Sequence, residues 1–299
     1  MKIIERNLQE IGKSLLVSLP KAWTRTFHLK KGSKIKIMTS EQGFLSIAPE
    51  FTQQEQEKES EILYDQHFDR RFFREYFLGN EKITIKFQKI SEKERKEVYI
   101  FLKRFISVQI IEETKEKIIV KSFKIEELSI KECLNRLYYL SLGMIEELCS
   151  SGNKVMIKEM RDNMTRFYYL LVMQIRRFFK EGRFTKENQI PILKSLDFRM
   201  VAEKMQRIGE IIDNFGKIEK KLIKPTKKIQ EYYSKAVLYF INGNYEKAPF
   251  VWEQSREIEK ELKKISKQAE KSKNLSLYKQ TQSLSQISRY SKEIGALIR

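Results

Sequence analysis

The sequence contains little cysteine, proline or glycine. Its 299 residues include only two cysteines, Cys133 and Cys149. On a single helix these two residues would lie about 24 Å apart, which is too far for a disulfide bond between them. A disulfide framework is therefore excluded, as is typical of a protein from a reducing compartment. Five prolines and 11 glycines leave few breaks in so long a chain, and this favours long helices.

Long hydrophobic runs and familiar catalytic motifs are also missing. The most apolar segment, residues 167–175, is far shorter than a membrane span, and no signal-peptide segment follows Met1. We therefore expect a soluble, cytoplasmic protein. The HExxH, GxSxG, CxxC and Walker patterns do not occur, and His28 and His67 have no acidic or thiol partner in sequence. These absences indicate a protein that is not an enzyme.

Positive charge is in clear excess. The chain carries 59 lysines and arginines against 40 acidic residues, a net charge of +19. Such an excess suits nucleic acid or an anionic membrane surface, and a solvated lysine-rich surface is the simpler interpretation. The net charge is +5 over residues 1–50, +2 over 51–125 and +12 over 126–299. Charge alone therefore does not locate a nucleic-acid site.

Residues 1–50 predict a small β-rich domain. Its expected order is a strand, a tight turn at Gly12, a strand at 15–19, a short helix over 20–27, a turn at 30–33, and two strands joined at Gly43. A domain of this size buries too little surface to be stable alone. Dimerisation is the expected remedy.

Residues 51–125 predict a small α+β module. The polar stretch at 52–61 is interpreted as a linker or as the exposed start of a helix, which aromatic residues at helical spacing continue to Phe77. Next we expect a strand at 83–87, then a helix opened by a Ser91–Glu94 capping box. Two strands, at 108–113 and 117–123, complete an α-β-α-β-β order.

Residues 126–299 predict an almost entirely helical domain, which makes the whole chain mainly α with an α+β N-terminal part. The six expected helices span 127–150, 154–181, 193–223, 227–242, 246–271 and 275–298. Each has one apolar stripe of the kind found in antiparallel bundles. The lengths repeat as short, long, long, which indicates duplication of a three-helix unit.

The N-terminal pattern resembles a known family of DNA-binding domains. Its segments are Arg6, Ile11-Gly12-Lys13-Ser14, Leu19-Pro20-Lys21-Ala22-Trp23, Leu29-Lys30-Lys31-Gly32 and Gly43-Phe44-Leu45-Ser46-Ile47-Ala48-Pro49. Together they are similar to the swapped-hairpin domain of the SpoVT/AbrB/MazE type. The resemblance implies a homodimer that binds double-stranded DNA, with Trp23 and Leu29 in the dimer core. Residue by residue, it implies DNA contacts from Arg6, Lys13 and Arg25, with Lys21, Lys30 and Lys31 as neighbouring candidates.

Three later segments resemble PhoU, a phosphate-signalling protein, and its archaeal relatives. Residues 161–171 with Gln174 are similar to the second helix of archaeal PhoU proteins, and residues 205–210 to a third-helix motif. Residues 71–79 resemble the middle of archaeal phosphate-uptake regulators, which join an AbrB-type domain to a PhoU domain in this order. The resemblance implies a PhoU-like fold of two tandem three-helix bundles, and phosphate transporter subunits or a signalling kinase as partners.

The PhoU resemblance also implies metal binding, although the ligand pattern is incomplete here. PhoU proteins bind metal clusters through acidic pairs four residues apart on facing helices, and carboxylates suit hard cations. Two usually acidic positions are Thr165 and Gln206 in this sequence. The remaining candidate ligands for a divalent or ferric ion are Glu159, Asp162, Glu203, Glu210 and Asp213.

These observations favour a homodimeric DNA-binding regulator of phosphate uptake, in which the helical domain senses phosphate status through a partner or ligand. One alternative is an interaction module that docks on a phosphate transporter or kinase without binding DNA. A second is a metal-storage or metal-sensing bundle. An antitoxin is disfavoured, because about 250 residues follow the DNA-binding part.

Overall fold

A computed structural model describes residues 4–39, 45–49, 58–125, 128–181 and 192–298. The chain forms two compact units, residues 1–56 and residues 57–299. The predicted turn at Gly43 and the first part of the predicted linker, residues 52–57, lie outside the described residues. The predicted boundary between module and helical domain, at residue 125, falls inside the second unit.

The first unit contains two antiparallel strand pairs and one short helix. Its elements are β1 (Gln9–Ile11), β2 (Ser14–Leu16), α1 (Lys21–Thr26), β3 (Ile35–Thr39) and β4 (Leu45–Pro49), with β1 paired to β2 and β3 to β4. Gly12 has φ +65°, and Lys13 after it has a negative φ. A positive φ at the first central residue only is the pattern of a two-residue hairpin turn with Gly in that place. The predicted order of elements is therefore observed, with β2 shorter than expected.

The second unit begins with a four-stranded mixed sheet and two helices. Its elements are β5 (Glu59–Leu63), α2 (Phe68–Leu78), β6 (Lys82–Lys86), α3 (Glu92–Leu102), β7 (Val108–Glu113) and β8 (Lys117–Ser122). The strand order is β5-β6-β8-β7, in which β5 and β6 are parallel and the other pairs are antiparallel. Helix α3 begins with the predicted capping box, since Ser91 and Glu94 bond reciprocally.

Strand β5 lies where the sequence predicted the end of a linker or the exposed start of a helix. Only Ile62 of this strand is buried, while Glu59 and Glu61 are exposed on its other face. Lys82 Nζ lies 2.9 Å from Glu59 Oε1, and Lys86 Nζ lies 2.6 Å from Glu61 Oε2. The two glutamates pair with lysines of the neighbouring strand, so a stretch that is polar in sequence forms an edge strand.

An aromatic cluster joins the module to the helices that follow it. Phe72, Phe101 and Phe105 pack together under the sheet, with ring centroids 5.2–5.4 Å apart. A half-buried tyrosine from the later helix α5 (Lys154–Glu181), Tyr169, stacks on Phe105 with centroids 5.3 Å apart. Met173, one turn further along α5, is buried in the same cluster. The module and the helices therefore share a hydrophobic contact.

The rest of the second unit is a bundle of helices. Around α5 they are α4 (Ile130–Cys149), α6 (Ile192–Asp213), α7 (Lys220–Asn242), α8 (Ala248–Lys271) and α9 (Leu275–Gly295). Helices α4, α5 and α6 pack on one another, and so do α7, α8 and α9; α4 contacts α7 and α6 contacts α9. The described residues thus form two three-helix groups with one continuous core.

The end of α6 differs from the prediction, which extended that helix to residue 223. Helix α6 ends at Asp213, and Gly216 has φ +75° in the connection that follows. The buried Phe215 continues the apolar spacing of α6, so the end of the helix at Asp213 could not be predicted from apolar periodicity alone. Pro225, expected beyond a helix, lies inside α7.

Replacing Tyr169 by alanine is expected to lower the free energy of unfolding by about 2–4 kcal/mol, because no ring then packs against Phe73, Phe77 and Phe105. Tyr139→Ala is the control, since Tyr139 is 63% exposed and about 1 kcal/mol or less is expected from its removal. Urea unfolding followed by circular dichroism measures both variants. Equal destabilisation of the two would contradict the role given to Tyr169.

Candidate functional site

The six basic residues predicted to contact DNA are all exposed on the first unit. Arg6 precedes β1, Lys13 lies at the tip of the β1–β2 hairpin, and Lys21 and Arg25 lie on α1. Lys30 and Lys31 lie in the turn between α1 and β3. Within the described part of the chain, none of the six forms an ion pair with a carboxylate. Their positive charge is therefore available to a partner.

The turn that carries Lys30 and Lys31 is tied by short-range hydrogen bonds. Ser33 N donates to the Lys30 carbonyl at 2.9 Å, and Lys30 N donates to Ser33 Oγ at 2.8 Å. Leu29 N donates to the Thr24 carbonyl at 2.8 Å, which anchors the start of this turn to α1. Such turns hold their backbone in a defined conformation. The two lysines are thus presented from an ordered loop.

Sequence reasoning did not single out two further cations of this unit. Lys34 and Lys36 are exposed at the start of β3 and form no ion pair in the region described. The alternation of Lys34 and Lys36 with Ile35 and Ile37 is the signal that could have identified them, because alternate residues of a strand share a face. The first unit therefore carries at least eight unpaired basic residues.

The first unit has almost no core of its own. Among its described residues with an assigned burial, only Pro49 is buried. Nine of its large apolar side chains are exposed: Ile4, Leu8, Ile11, Leu15, Leu16, Val17, Phe27, Ile37 and Leu45. Trp23 and Leu29, predicted for a dimer core, are half-buried. Exposed apolar surface on this scale is typical of a segment that packs against another chain.

The second candidate site lies between α5 and α6, where the metal ligands were expected. Gln206 and Thr165 are both buried there, and Gln206 Nε2 donates to Thr165 Oγ1 at 3.0 Å. The Thr165 hydroxyl donates in turn to the Arg161 carbonyl at 3.2 Å. A neutral amide–hydroxyl pair therefore occupies the place that two carboxylates would take in the PhoU pattern.

The five candidate metal ligands do not converge on one point. Arg161 lies 3.5 Å from Asp162 and 3.9 Å from Asp213, and Arg207 lies 3.1 Å from Glu210. This ion pair with Glu210 raises the pKa of Arg207. Glu159 is exposed and Glu203 is half-buried. In the described residues no three carboxylate, imidazole or thiol groups form an arrangement that would hold a metal ion.

This geometry argues against the metal hypothesis for Glu159, Asp162, Glu203, Glu210 and Asp213. The physical reason is the presence of Arg161 and Arg207, which compensate three of these carboxylates. Sequence reasoning missed both arginines as partners. The adjacent Arg161–Asp162 and the three-residue spacing of Arg207–Glu210 were the signals available, since side chains three apart on a helix are neighbours.

Gln206→Glu is expected to destabilise the protein in a pH-dependent way, by about 2–4 kcal/mol at neutral pH, because it replaces a buried neutral amide, hydrogen-bonded to a neutral hydroxyl, by a carboxylate. Burial raises the pKa of that carboxyl above its unfolded value, so stability is retained at acid pH and is lost as pH rises through the folded-state pKa. Gln282→Glu, at an exposed position of α9, is the control with little change expected. Thermal unfolding at acid and neutral pH measures this, and a pH-independent destabilisation would contradict it.

None of the helices in the described ranges is long and apolar enough to cross a membrane. Comparisons of this chain with known protein families, with curated proteins and with solved structures give no match.

Proposed function

We propose that this protein is a homodimeric, DNA-binding regulator of phosphate uptake. In this proposal the first units of two chains form one DNA-binding surface on an operator. The helical part receives a phosphate-status signal through a partner, such as a phosphate transporter subunit or a signalling kinase. The signal then alters how well the two N-terminal units engage the duplex.

The observation that carries the proposal is the unpaired basic surface of the first unit. Arg6, Lys13, Lys21, Arg25, Lys30 and Lys31 are exposed on turns and on one short helix. Free lysines and arginines supply the charge that displaces counterions from a DNA backbone. The arginine fork also fits a guanine edge or a phosphate, whereas lysine acts as a point charge. This combination supports binding to DNA.

The same unit supports the proposed dimerisation. A β1–β2 hairpin with every residue exposed does not have enough buried surface to be stable by itself. Packing against a second copy would remove Ile11, Leu15 and Leu16 from water, at about 25 cal/mol for each Å² of apolar surface buried. A two-fold dimer would present each basic residue twice, which suits a pseudo-palindromic operator.

The link to phosphate depends on the resemblance of three segments to PhoU-type regulators. The arrangement of α4 to α9 as two three-helix groups is compatible with it. The neutral Thr165–Gln206 pair favours a signal received from a partner protein over one received through a bound metal. Co-purification of the full chain with a phosphate transporter subunit, and failure of regulation when that subunit is deleted, would test this part.

Leu15→Asp is expected to convert the dimer to a monomer, because it places a charge in the apolar surface proposed to be shared between chains. Val155→Asp in α5 is the matched control, since Val155 is 66% exposed and Leu15 67%. Multi-angle light scattering gives the mass of each variant and of the unmodified protein. An unmodified protein that is a monomer at all concentrations would remove the two-fold DNA-binding surface.

Arg6→Ala and Lys13→Ala are expected to weaken DNA binding. Lys13→Ala should reduce the slope of log affinity against log salt by about 1 for each phosphate that this side chain no longer binds, or about 2 in a dimer. Lys115→Ala, in the β7–β8 turn, is a control from the second unit with no change expected. Fluorescence anisotropy with operator DNA at several salt concentrations measures all three. Unchanged affinity in both N-terminal variants would refute this DNA-binding surface.

A further inference from the structure

A dense group of lysines occupies one end of the bundle formed by α7, α8 and α9. We call it the lysine cap, and its members are Lys217, Lys220, Lys221, Lys224, Lys227, Lys228, Lys263, Lys264, Lys267, Lys271, Lys273 and Lys279. Segments 217–228 and 263–279 contain these twelve lysines and only two glutamates, a net charge of +10 out of +19 for the chain. More than half of the net charge is thus carried by 29 residues.

The fold brings these two segments together. Helices α7 and α8 pack antiparallel, with Lys228 Nζ only 2.7 Å from Glu261 Oε2. The side chain of Gln280 on α9 accepts from Glu219 N at 3.0 Å and donates to the Lys217 carbonyl at 2.7 Å. The start of α7, the end of α8 and the start of α9 therefore lie at the same end of the bundle.

The charge of the cap is largely uncompensated. All twelve lysines are exposed, and within the described ranges only Lys228 forms an ion pair. Two glutamates near the end of the neighbouring helix α4 accept hydrogen bonds from other groups: Glu146 from Gln230, and Glu147 from Ser151 and Asn153. The cap is therefore a strong positive field at one end of the bundle.

The arrangement also opposes the stability of the isolated protein. Lys220 and Lys221 lie in the first turn of α7, where the helix dipole disfavours positive charge. Lys220 and Lys224, like Lys263 and Lys267, are like charges four residues apart. Lys273, two residues after the end of α8, has φ +52°, a conformation that glycine adopts more readily. A bound polyanion would relieve the electrostatic part of this cost.

We propose that the lysine cap is a second DNA-contact surface, which binds the phosphate backbone of a duplex without reading its sequence. Segments 217–228 and 263–279 contain no arginine, and lysine is a hydrated point charge that suits phosphate more than a base edge. Contacts of this type supply sequence-independent affinity, which adds to that of the first unit through linkage in one chain.

The choice of duplex DNA over an anionic membrane rests on the proposed function, because the first unit would already hold DNA. A second observation agrees with it. In the described residues of the two segments, Leu275 is the one large apolar side chain that is exposed. A surface that enters the membrane interface normally combines lysines with several exposed apolar or aromatic residues. The cap offers charge with almost no apolar surface.

The test compares two variants of equal net charge in the full-length protein. The cap variant carries Lys220→Gln, Lys224→Gln, Lys267→Gln and Lys271→Gln. The control variant carries Lys93→Gln, Lys115→Gln, Lys131→Gln and Lys158→Gln, four exposed lysines outside the cap. Fluorescence anisotropy with a duplex that lacks an operator is measured across a salt series. Thermal unfolding shows that both variants are folded, and the cap variant should melt no lower than the unmodified protein.

We expect the affinity of the cap variant to fall about tenfold or more at low salt, with a salt slope reduced by about 0.9 for each phosphate that it no longer neutralises. The control variant should remain close to the unmodified protein. Equal weakening of the two variants would overturn the proposal. So would unchanged DNA binding by the cap variant together with failure to bind phosphatidylserine vesicles that the unmodified protein binds.

The same assay separates this proposal from the proposed function. If Arg6→Ala and Lys13→Ala retain full affinity while the cap variant binds weakly, the cap is supported and the N-terminal DNA-binding surface fails. If the N-terminal variants bind weakly and the cap variant behaves like its control, the cap proposal fails and the N-terminal surface remains.

Discussion

Helix α5 belongs to two hydrophobic cores at once, and the organisation of the second unit depends on this. Met164 and Leu171 are fully buried among the other helices of the bundle. Tyr169 and Met173, four residues apart on another face, pack into the aromatic cluster of the module. If a helix with two apolar faces separates from either neighbour, the apolar face that contacted this neighbour is exposed to water. The module and the bundle are therefore coupled by packing as well as by the chain.

The same helix holds its place in the bundle through close packing with α6. Gly209 faces Met164, and a Cβ atom at that position would lie 2.9 Å from Met164 Sδ. The buried Thr165–Gln206 hydrogen bond also joins these two helices. A small residue and a neutral, hydrogen-bonded pair thus lie where the two helices approach, at positions where the PhoU pattern would have carboxylates. Because these side chains are neutral, the α5–α6 interface is a packing contact between two helices and at these positions lacks the carboxylates that a metal ion would need.

Basic residues paired with carboxylates and basic residues without such partners occupy different parts of the described chain. In the mixed sheet, Lys82 and Lys86 are paired with glutamates of the neighbouring strand. The basic residues of the first unit and nearly all lysines of the cap have no such partner in the regions described. Lysines paired with glutamates connect neighbouring strands, whereas clustered positive charges without carboxylate partners attract a polyanion.

Local patterns in the chain were enough to predict most of the helices. The apolar stripes of α4 to α9 and the capping box at Ser91 depend on residues within one or two turns, so the sequence alone predicts them. The capping box at Ser129 has the same local pattern and was not predicted. Contacts between residues that are distant in sequence could not be predicted from such local patterns. Strand β5 forms through backbone pairing with β6 and through burial of Ile62, and this pairing brings Glu59 and Glu61 to lysines of β6. The ion pair between Arg161 and Asp213, one of the expected metal ligands, likewise exists only because α5 packs on α6.

The lysine cap is the clearest example of a feature whose residues are visible in the sequence but whose arrangement depends on the fold. Its twelve lysines can be counted in the printed sequence, yet they lie in two segments separated by 34 residues. They form one surface because α7 and α8 pack antiparallel and Gln280 ties the start of α9 to the start of α7. Periodicity and capping, which act over a few residues, specified the elements. Through-space electrostatics and packing, which act between elements, specified where their charges meet.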